Sequence, residues 1–247
     1  AQLNEQQQTI YNDLGTAAKI MGATVNSESL SRTLNVFGQF FNLESEDTSI
    51  AYRINSHKKN VSMRYLNFVV SHNPYEMALA GGLMQREGHP VEDVLDQVVP
   101  NVKMIGYGSD LVVTHGFEKV WPFFHMYPIE ELVKFPSIPD SVRAHMDYFK
   151  KFNMAQVSLL AVDYYHKTMN IYFMMRTSQG FKPGGLYTPD QWVEMFTDLG
   201  FGTPTDAELD IFSKAFVVYP TFSWESAEIE RLCVCMPGGH KSEIPYT

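Results

Sequence analysis

Charged side chains recur in segments of the chain that alternate between polar and apolar residues. Arg53 and Arg64 lie in two such segments, Asp110 and Lys119 in a later pair, and Arg231 in another. Every second side chain of a β-strand points to the same face, so this spacing can gather the charges on one side of a sheet. Clustered Arg and Lys side chains of this kind can bind phosphate oxygens through charge-assisted hydrogen bonds.

Aromatic rings and hydrogen-bond donors share the same predicted faces. Trp121 and Phe123 lie on the face of Lys119, and Tyr219 lies on the face of Val217. The other residues that we assign to these faces are His166, Thr168, Asn170, Tyr172, Met174 and Cys233. Cations beside aromatic rings are typical of a site that binds an anionic group attached to an apolar one.

Each of these residues also has an ordinary structural explanation. A lone Arg or Lys on a strand is usually a solvated surface residue, and His166 can be one half of a hydrogen-bonded pair. Trp121 and Tyr219 can belong to the core. Alternation by itself does not decide between these explanations and a binding site.

The elements that position these residues follow a repeating order of two helices and two strands. The pattern predicts helices at about 5–21, 27–41, 75–86, 91–98, 128–134, 139–151, 188–199 and 205–212. It predicts strands at about 48–56, 61–70, 102–108, 112–124, 155–164, 168–176, 214–222 and 229–236. The order therefore predicts about four repeats in a single domain over residues 1–247.

The third predicted hairpin has an unusual distribution of polarity. Met169, Ile171 and Phe173 make an apolar face that can pack under helices, whereas the alternate positions from His166 to Tyr172 are polar. A polar face that points into a barrel favours a solvated interior. We therefore expect an α+β fold in which an antiparallel β-barrel with a solvent-filled chamber is surrounded by α-helices.

Composition excludes several classes of function. The formal net charge of -9 disfavours nucleic-acid binding, and no apolar run approaches the roughly 20 residues of a membrane span. The polar N-terminus shows no signal-peptide pattern, and the two cysteines, Cys233 and Cys235, are poorly placed to bridge each other. We expect a reduced, cytoplasmic setting, no membrane partner and no metal held by Cys and His.

Several short segments, in order along nearly the whole chain, resemble the ABBA-type family of soluble aromatic prenyltransferases. They are Gly88-His89-Pro90-Val91-Glu92-Asp93, Gly116-Phe117-Glu118-Lys119, Val162-Asp163-Tyr164, Thr168-Met169-Asn170-Ile171-Tyr172-Phe173, Val218 to Glu225 and Ile229 to Cys233. The resemblance implies a ten-stranded barrel with helices outside. It also implies transfer of a dimethylallyl or geranyl group from its diphosphate to a carbon of an aromatic small molecule in secondary metabolism.

The resemblance also implies roles for individual residues. It puts Lys119, Thr168, Asn170, Tyr219 and Arg231 at diphosphate-contact positions, to which we add Arg53, Arg64 and His166. It puts Trp121 and Tyr172 beside the prenyl chain and the acceptor, and to these we add Phe123, Met174, Val217 and Cys233 as further pocket residues. We expect Arg64, Lys119 and Arg231 to act in catalysis, and Asp110 or water to be the base. Two positions depart from the family: His166 stands where a Lys is common, and Glu228 replaces a Lys that some members use.

We expect catalysis to need no cofactor and no Mg²⁺. Some members of the family place an Asp at the position of Arg64, where it helps to hold Mg²⁺ against the diphosphate. A guanidinium carries donors and no acceptor, so Arg64 cannot ligate a cation. Asp110 is the only carboxylate that we predict on the inner face, and carboxylates are the usual protein ligands of Mg²⁺.

A different class of protein fits part of the pattern. A noncatalytic barrel that carries a hydrophobic small molecule would explain the chamber and the rings, but not the cations on separate hairpins. A hydrolase of prenyl diphosphates is a third possibility.

The resemblance implies a barrel that closes with a fifth hairpin, and we expect residues 1–247 to supply four. Four hairpins leave the barrel with an open sheet edge, and we expect a segment beyond Thr247, the tail 237–247 or a partner chain to cover it. Unless a partner chain does so, we expect the protein to be a monomer.

Overall fold

The computed structural model of the chain describes residues 2–41, 46–55, 58–68, 72–174 and 186–236. The predicted strand ends at 56, 69–70 and 175–176 and the tail 237–247 lie outside the described residues. No helix among the described residues is both long and apolar enough to cross a membrane.

Helices and strands alternate in the predicted order, with two or three helices before each pair of strands. The α-helices are α1 (Glu5–Met21), α2 (Ser27–Phe37), α3 (Pro74–Ala80), α4 (Val94–Val98), α5 (Ile129–Leu132), α6 (Asp140–Ala144), α7 (Met146–Lys151), α8 (Pro189–Asp198) and α9 (Asp206–Phe212). The strands are β1 (Thr48–Asn55), β2 (Asn60–Asn67), β3 (Met104–Val112), β4 (Gly116–Pro128), β5 (Gln156–Asp163), β6 (Thr168–Met174), β7 (Val217–Ser223) and β8 (Arg231–Cys235). Short 3-10 helices occupy Gly38–Phe40, Pro90–Asp93 and Val99–Asn101.

Polar caps fix where the longer helices begin. The side chain of Asn4 accepts the backbone N–H of Gln7 at the start of α1, and the Gln7 side chain accepts the N–H of Asn4 in return. Thr188 makes the same reciprocal pair with Gln191 at the start of α8. Each pair satisfies N–H groups that a helix end leaves without a partner. The predicted starts of these helices are confirmed for that reason.

The predicted bounds of one helix and two strands are wrong. The helix predicted at 75–86 ends at Ala80, because Gly81 follows and Gly82 adopts a positive φ of 65°. The strands predicted at 102–108 and 112–124 run instead over Met104–Val112 and Gly116–Pro128. Their turn therefore lies near Thr114, after Asp110 rather than beside it.

The strands form one eight-stranded sheet in chain order, β1 to β8. The registers that join β1 to β2, β2 to β3, β3 to β4 and β7 to β8 are antiparallel. The predicted α+β class, with antiparallel strands in chain order and helices between the hairpins, is confirmed. The solvent-filled interior stays a prediction.

The chain divides into two compact units, which we describe separately. The first contains residues 1–125 and 159–169, and the second contains residues 126–158 and 170–247. The single domain over 1–247 stays a prediction.

In the first unit, the helices cover one face of β2. Tyr65 on that face packs against Phe37 of α2, with ring centroids 5.7 Å apart and the rings tilted by 42°, and Val61 and Met63 beside it are fully buried. Strand alternation sends Ser62 and Arg64 to the opposite face. Burial of the odd positions of β2 under helices therefore fixes the direction of Arg64.

The second unit repeats this arrangement on β6. Phe173 lies 5.0 Å from Phe149 of α7 between ring centroids, and Ile171 is fully buried. Asn170 and Tyr172 occupy the alternate positions. The predicted apolar face of β6 is confirmed by these contacts.

Gly108 allows β2, β3 and β4 to approach closely beside Trp121. A Cβ atom at this position would lie 2.6 Å from Leu66 Cδ2, 2.8 Å from the Tyr65 carbonyl and 3.3 Å from Trp121 Cβ. We expect Gly108→Ala to lower the free energy of unfolding by about 1–3 kcal/mol, because overpacking forces the strands or the indole to move. Chemical denaturation measures the change.

Gly15→Ala is the matched control for that substitution. Gly15 lies within α1, and a methyl group added there would meet nothing within 4 Å, so alanine should raise stability by about 0.5–1 kcal/mol. A Gly108→Ala protein as stable as its parent would contradict the close approach of the strands.

Candidate active site

Strand register in the first unit brings the predicted charged residues into one row. Arg64 on β2 lies opposite Asp110 on β3, and Asp110 lies opposite Lys119 on β4. Trp121 lies opposite Gly108, two residues from Asp110. Residues directly opposite one another in an antiparallel pair share a face. Arg64, Asp110, Lys119 and Trp121 therefore project from the same side of the sheet, as predicted.

Arg64, Asp110 and Trp121 form a closed hydrogen-bonded group. Arg64 Nε lies 2.7 Å from Asp110 Oδ1, and Arg64 Nη2 lies 3.0 Å from Asp110 Oδ2. Trp121 Nε1 donates to the same Oδ1 at 3.2 Å, and the guanidinium carbon lies 3.8 Å above the indole centroid. This is a two-pronged Arg–carboxylate pair that also stacks on an aromatic ring.

These contacts bear on the roles predicted for Asp110 and Trp121. Asp110 is 2% exposed and accepts hydrogen bonds from both neighbours, so its oxygens are occupied in this conformation. One face of the Trp121 ring is covered by Arg64. The base role of Asp110 and the pocket role of Trp121 stay predictions, and the geometry shows that both residues also orient Arg64.

Lys119 lies between two buried carboxylates. Its Nζ is 2.8 Å from Asp163 Oδ2 and 3.1 Å from Glu118 Oε1. The side chains of all three residues are at most 12% exposed. The expectation that Asp110 is the only inner carboxylate is wrong, because Glu118 and Asp163 lie directly against the Lys119 ammonium.

Opposite charges outweigh burial in setting the protonation of this cluster. Burial alone would lower the pKa of Lys119, but Asp163 and Glu118 raise it above its usual value. Burial alone would raise the pKa of Asp163, but hydrogen bonds from His166 and the charge of Lys119 lower it. The pKa of Glu118 is lowered in the same way, against burial, by His115 and Lys119. Lys119 is therefore a cation and both acids are anions at neutral pH.

A β-bulge brings Glu118 next to Lys119. Leu111 pairs with Phe117 and Asp110 pairs with Lys119, so Glu118 is an extra residue in β4. Strict alternation would send Glu118 and Lys119 to opposite faces. A bulge interrupts that alternation and can redirect a side chain, and for this reason sequence periodicity missed Glu118.

His166 belongs to the turn between β5 and β6, not to a strand. Its backbone N–H donates to Asp163 Oδ1 at 2.8 Å, and its Nδ1 lies 3.1 Å from Asp163 Oδ2. Lys167 beside it adopts a positive φ of 55° and pairs with Glu87 at 2.8 Å. The prediction that His166 shares the strand face of Thr168 is therefore wrong. The hydrogen bond to Asp163 raises the pKa of His166 despite partial burial.

Among the described residues, one group of Asp, Glu, His or Cys side chains lies close enough together to hold a metal ion. It consists of Glu118, Asp163 and His166. One potential ligand atom from each lies within 4.8 Å of the others. Lys119 Nζ contacts two of these three groups. An ammonium therefore already supplies the positive charge that such a group of acids requires.

The other residues predicted for the site in the first unit, Arg53, Phe123 and Thr168, lie at the margins of this row. Arg53 on β1 is exposed and makes no ion pair with any described residue. Phe123 is half-buried, with its ring centroid 6.0 Å from that of Phe68. Thr168 is the half-buried first residue of β6.

The second unit holds the other predicted residues. Tyr172 and Tyr219 stack with ring centroids 4.2 Å apart, and burial raises the pKa of Tyr219. Tyr219 lies opposite Cys233, and Arg231 Nε donates to Thr221 Oγ1 at 3.3 Å. Asn170 and Val217 are buried, whereas Met174 and Cys233 are half-buried. Tyr219, Arg231 and Cys233 therefore share a face, as predicted.

A pocket of about 320 Å³ opens at the start of β8 in this unit. Its walls come from α8, α9, the loop between these helices and β8. Lining residues include Phe196, Phe201, Phe212, Glu230, Arg231 and Leu232. The pocket joins an aromatic wall to the exposed guanidinium of Arg231.

Comparison with known proteins identifies the family to which this arrangement belongs. A family model described as aromatic prenyltransferase Orf2 matches residues 5–242. The chain belongs to this family of aromatic prenyltransferases. The match covers both units and confirms the resemblance seen in the short motifs.

Curated relatives from Streptomyces agree with this membership. The flaviolin linalyltransferase of Streptomyces virginiae is 33% identical over 74% of this chain and 61% of its own length. The furaquinocin biosynthesis prenyltransferase of Streptomyces sp. (strain KO-3988) is 27% identical over 97% of this chain and 75% of its own length. The 5,10-dihydrophenazine-1-carboxylate 9-dimethylallyltransferase of Streptomyces anulatus is 26% identical over 90% of this chain and 74% of its own length. The chain thus spans between three fifths and three quarters of these relatives.

The ion pair of Arg64 with Asp110 should contribute measurably to stability. Removing one partner of a fully buried pair costs about 3–5 kcal/mol, and Arg64 is partly exposed, so we expect Asp110→Ala to cost about 2–3 kcal/mol. Urea denaturation measures this loss. As the control, Glu131→Ala removes an exposed pair with Lys134 and should cost less than about 1 kcal/mol. Equal losses for both variants would contradict the structural role of Asp110.

Proposed function

We propose that this chain transfers an allylic group, dimethylallyl or geranyl, from its diphosphate to a carbon of an aromatic small molecule. The observation that carries the proposal is the row of Arg64, Asp110, Lys119 and Trp121 on one face of the sheet, in a chain of the aromatic prenyltransferase family. The row combines fixed cations with an indole, which suits a substrate that has an anionic diphosphate and an apolar chain.

Lys119 is our candidate for stabilising the leaving group. An ammonium has three N–H donors, of which two serve Asp163 and Glu118. In our proposal the third donates to the diphosphate as the carbon–oxygen bond breaks and its electron pair moves to the departing oxygen. Negative charge on the leaving group grows at that moment, so a donor already in place lowers the barrier more than it strengthens binding.

The reaction is completed by the acceptor. A ring carbon of the aromatic molecule attacks the allylic cation and forms the new carbon–carbon bond. The same ring carbon then loses its proton to a base, which restores the aromatic ring. Water or a substrate oxygen suits that base role, since both oxygens of Asp110 accept hydrogen bonds from Arg64. Aromatic rings shield the cation from water in the meantime.

We further propose that the reaction needs no metal. Each of the three buried carboxylates in the row and its neighbourhood already faces a protein cation, Asp110 facing Arg64 and the other two facing Lys119. A divalent ion would have to displace one of these pairs to gain its oxygen ligands. Fixed cations would then take over the neutralisation of the diphosphate that a metal supplies elsewhere.

Product analysis tests the proposed function directly. The chain should be incubated with dimethylallyl or geranyl diphosphate and with the acceptors for which two relatives are named, flaviolin and 5,10-dihydrophenazine-1-carboxylate. We expect a prenylated product and equimolar diphosphate, with most activity retained in excess EDTA. Donor binding without turnover would indicate a carrier, and diphosphate release that does not depend on acceptor would indicate a hydrolase. Activity that EDTA abolishes and Mg²⁺ restores would contradict metal independence.

Arg231 gives a second test of donor binding. We expect Arg231→Ala to lower kcat/KM by about 100-fold, on the scale of about 3 kcal/mol for a charge-assisted contact to phosphate. Steady-state kinetics with varied donor measures the loss. Glu225→Ala changes an exposed acid of the same unit that does not line the pocket, and it serves as the control. Activity of Arg231→Ala within threefold of the parent would contradict the assignment.

A further inference from the structure

The setting of Lys119 raises a physical difficulty for a donor site. Glu118 and Asp163 place two negative charges within 3.1 Å of the ammonium that should attract a diphosphate. Two anions beside one cation weaken the attraction for a further anion. Carboxylates at this position therefore need a role other than strengthening donor binding.

We propose that Asp163, assisted by Glu118, is a positioning residue that holds the Lys119 ammonium in the orientation required for catalysis. This inference rests on the proposed function, because Lys119 is useful to orient only if it meets a leaving group. A lysine has a long, flexible side chain and a point charge, so without partners its ammonium samples many positions. Two buried acceptors at 2.8 and 3.1 Å restrict it to one.

Asp163 is itself fixed by the turn that follows it. Its Oδ1 accepts the backbone N–H of His166 at 2.8 Å, while its Oδ2 faces Lys119. Lys167 of the same turn pairs with Glu87 at 2.8 Å. The second oxygen of Glu118, Oε2, lies 3.3 Å from His115 Nε2. Asp163 Oδ2 also lies 3.1 Å from His166 Nδ1, so the carboxylate that faces Lys119 is held by both the backbone and the ring of His166.

The other charged groups around the cluster contact one of its acids or pair elsewhere, and the His166 ring contacts Asp163. Asp110 lies opposite Lys119 on β3 but pairs with Arg64. The ring of Tyr165 stacks on that of His115 with centroids 3.7 Å apart, and this contact holds His115 beside Glu118. Lys119 is thus the cation that both acids share.

Asp163→Asn separates positioning from simple attraction. Asparagine keeps the size of the side chain and an oxygen for the His166 N–H, but loses the charge that holds the ammonium. We expect kcat to fall about tenfold. The KM for the donor should not rise, because removing an anion does not weaken the attraction for diphosphate. Loss of a true diphosphate ligand, as in Lys119→Ala, should raise the donor KM.

A double-mutant cycle shows whether Asp163 acts through Lys119. In the Lys119→Ala background there is no ammonium to orient, so Asp163→Asn should change kcat by less than about twofold. Glu118→Gln should also lower kcat, since the Glu118 side chain shares Lys119 and has its own contact with His115. Asp210→Asn, an exposed acid on α9, is the control and should leave kcat unchanged. An equal loss from Asp163→Asn in both backgrounds, or a kcat within twofold of the parent, would overturn the positioning role.

An NMR measurement that needs no turnover tests the positioning of Lys119 independently of the proposed function. Proton–nitrogen correlation spectra that select lysine ammonium groups should show a protected Lys119 signal, assigned by its loss in Lys119→Arg. The signal should disappear in Asp163→Asn and persist in Asp210→Asn. A signal unchanged in Asp163→Asn refutes the holding of Lys119, whether or not the chain is active. An inactive parent in which Asp163→Asn does abolish the signal refutes the proposed function alone.

Discussion

The candidate site depends on the contacts of one buried ammonium, that of Lys119. It lies 2.8 Å from Asp163 and 3.1 Å from Glu118, and these contacts keep all three groups charged against the cost of burial. Truncating Lys119 would leave two buried carboxylates without the cation that they share, in a region of low dielectric constant. The bulge in β4, the turn that follows β5 and the stacked His115 all serve to bring the two acids to this ammonium.

The same pairing of opposite charges extends along the row. Arg64 pairs with Asp110 and stacks on Trp121, so the first unit pairs its cations before any substrate arrives. Groups that are already oriented need little reorganisation when negative charge develops on a leaving group. Helices support this arrangement from the far side of the sheet, since Tyr65 packs against Phe37 of α2 and Val61 and Met63 beside it are fully buried. Apolar packing on one face therefore determines which side chains reach the other.

Sequence alone predicted the part of this arrangement that follows strand alternation. The positions of Arg64, Lys119 and Trp121 on one face follow from a period of two, and the helix starts follow from their caps. Sequence periodicity did not identify Glu118 as a site residue, because a bulge breaks the alternation of β4 at that residue. Asp163 stood inside a recognised motif, but its partner lies 44 positions earlier in the chain, and no local pattern reports such a contact. His166 was misplaced because a turn residue has no strand face.

A crystal structure of the chain with dimethylallyl S-thiolodiphosphate, grown in EDTA, tests the central claim most directly. We expect a phosphate oxygen within about 3 Å of Lys119 Nζ, with Asp163 and Glu118 still in contact with the same ammonium and no metal beside the diphosphate. A diphosphate bound away from Lys119, or an ammonium that leaves both carboxylates to reach it, would contradict the account.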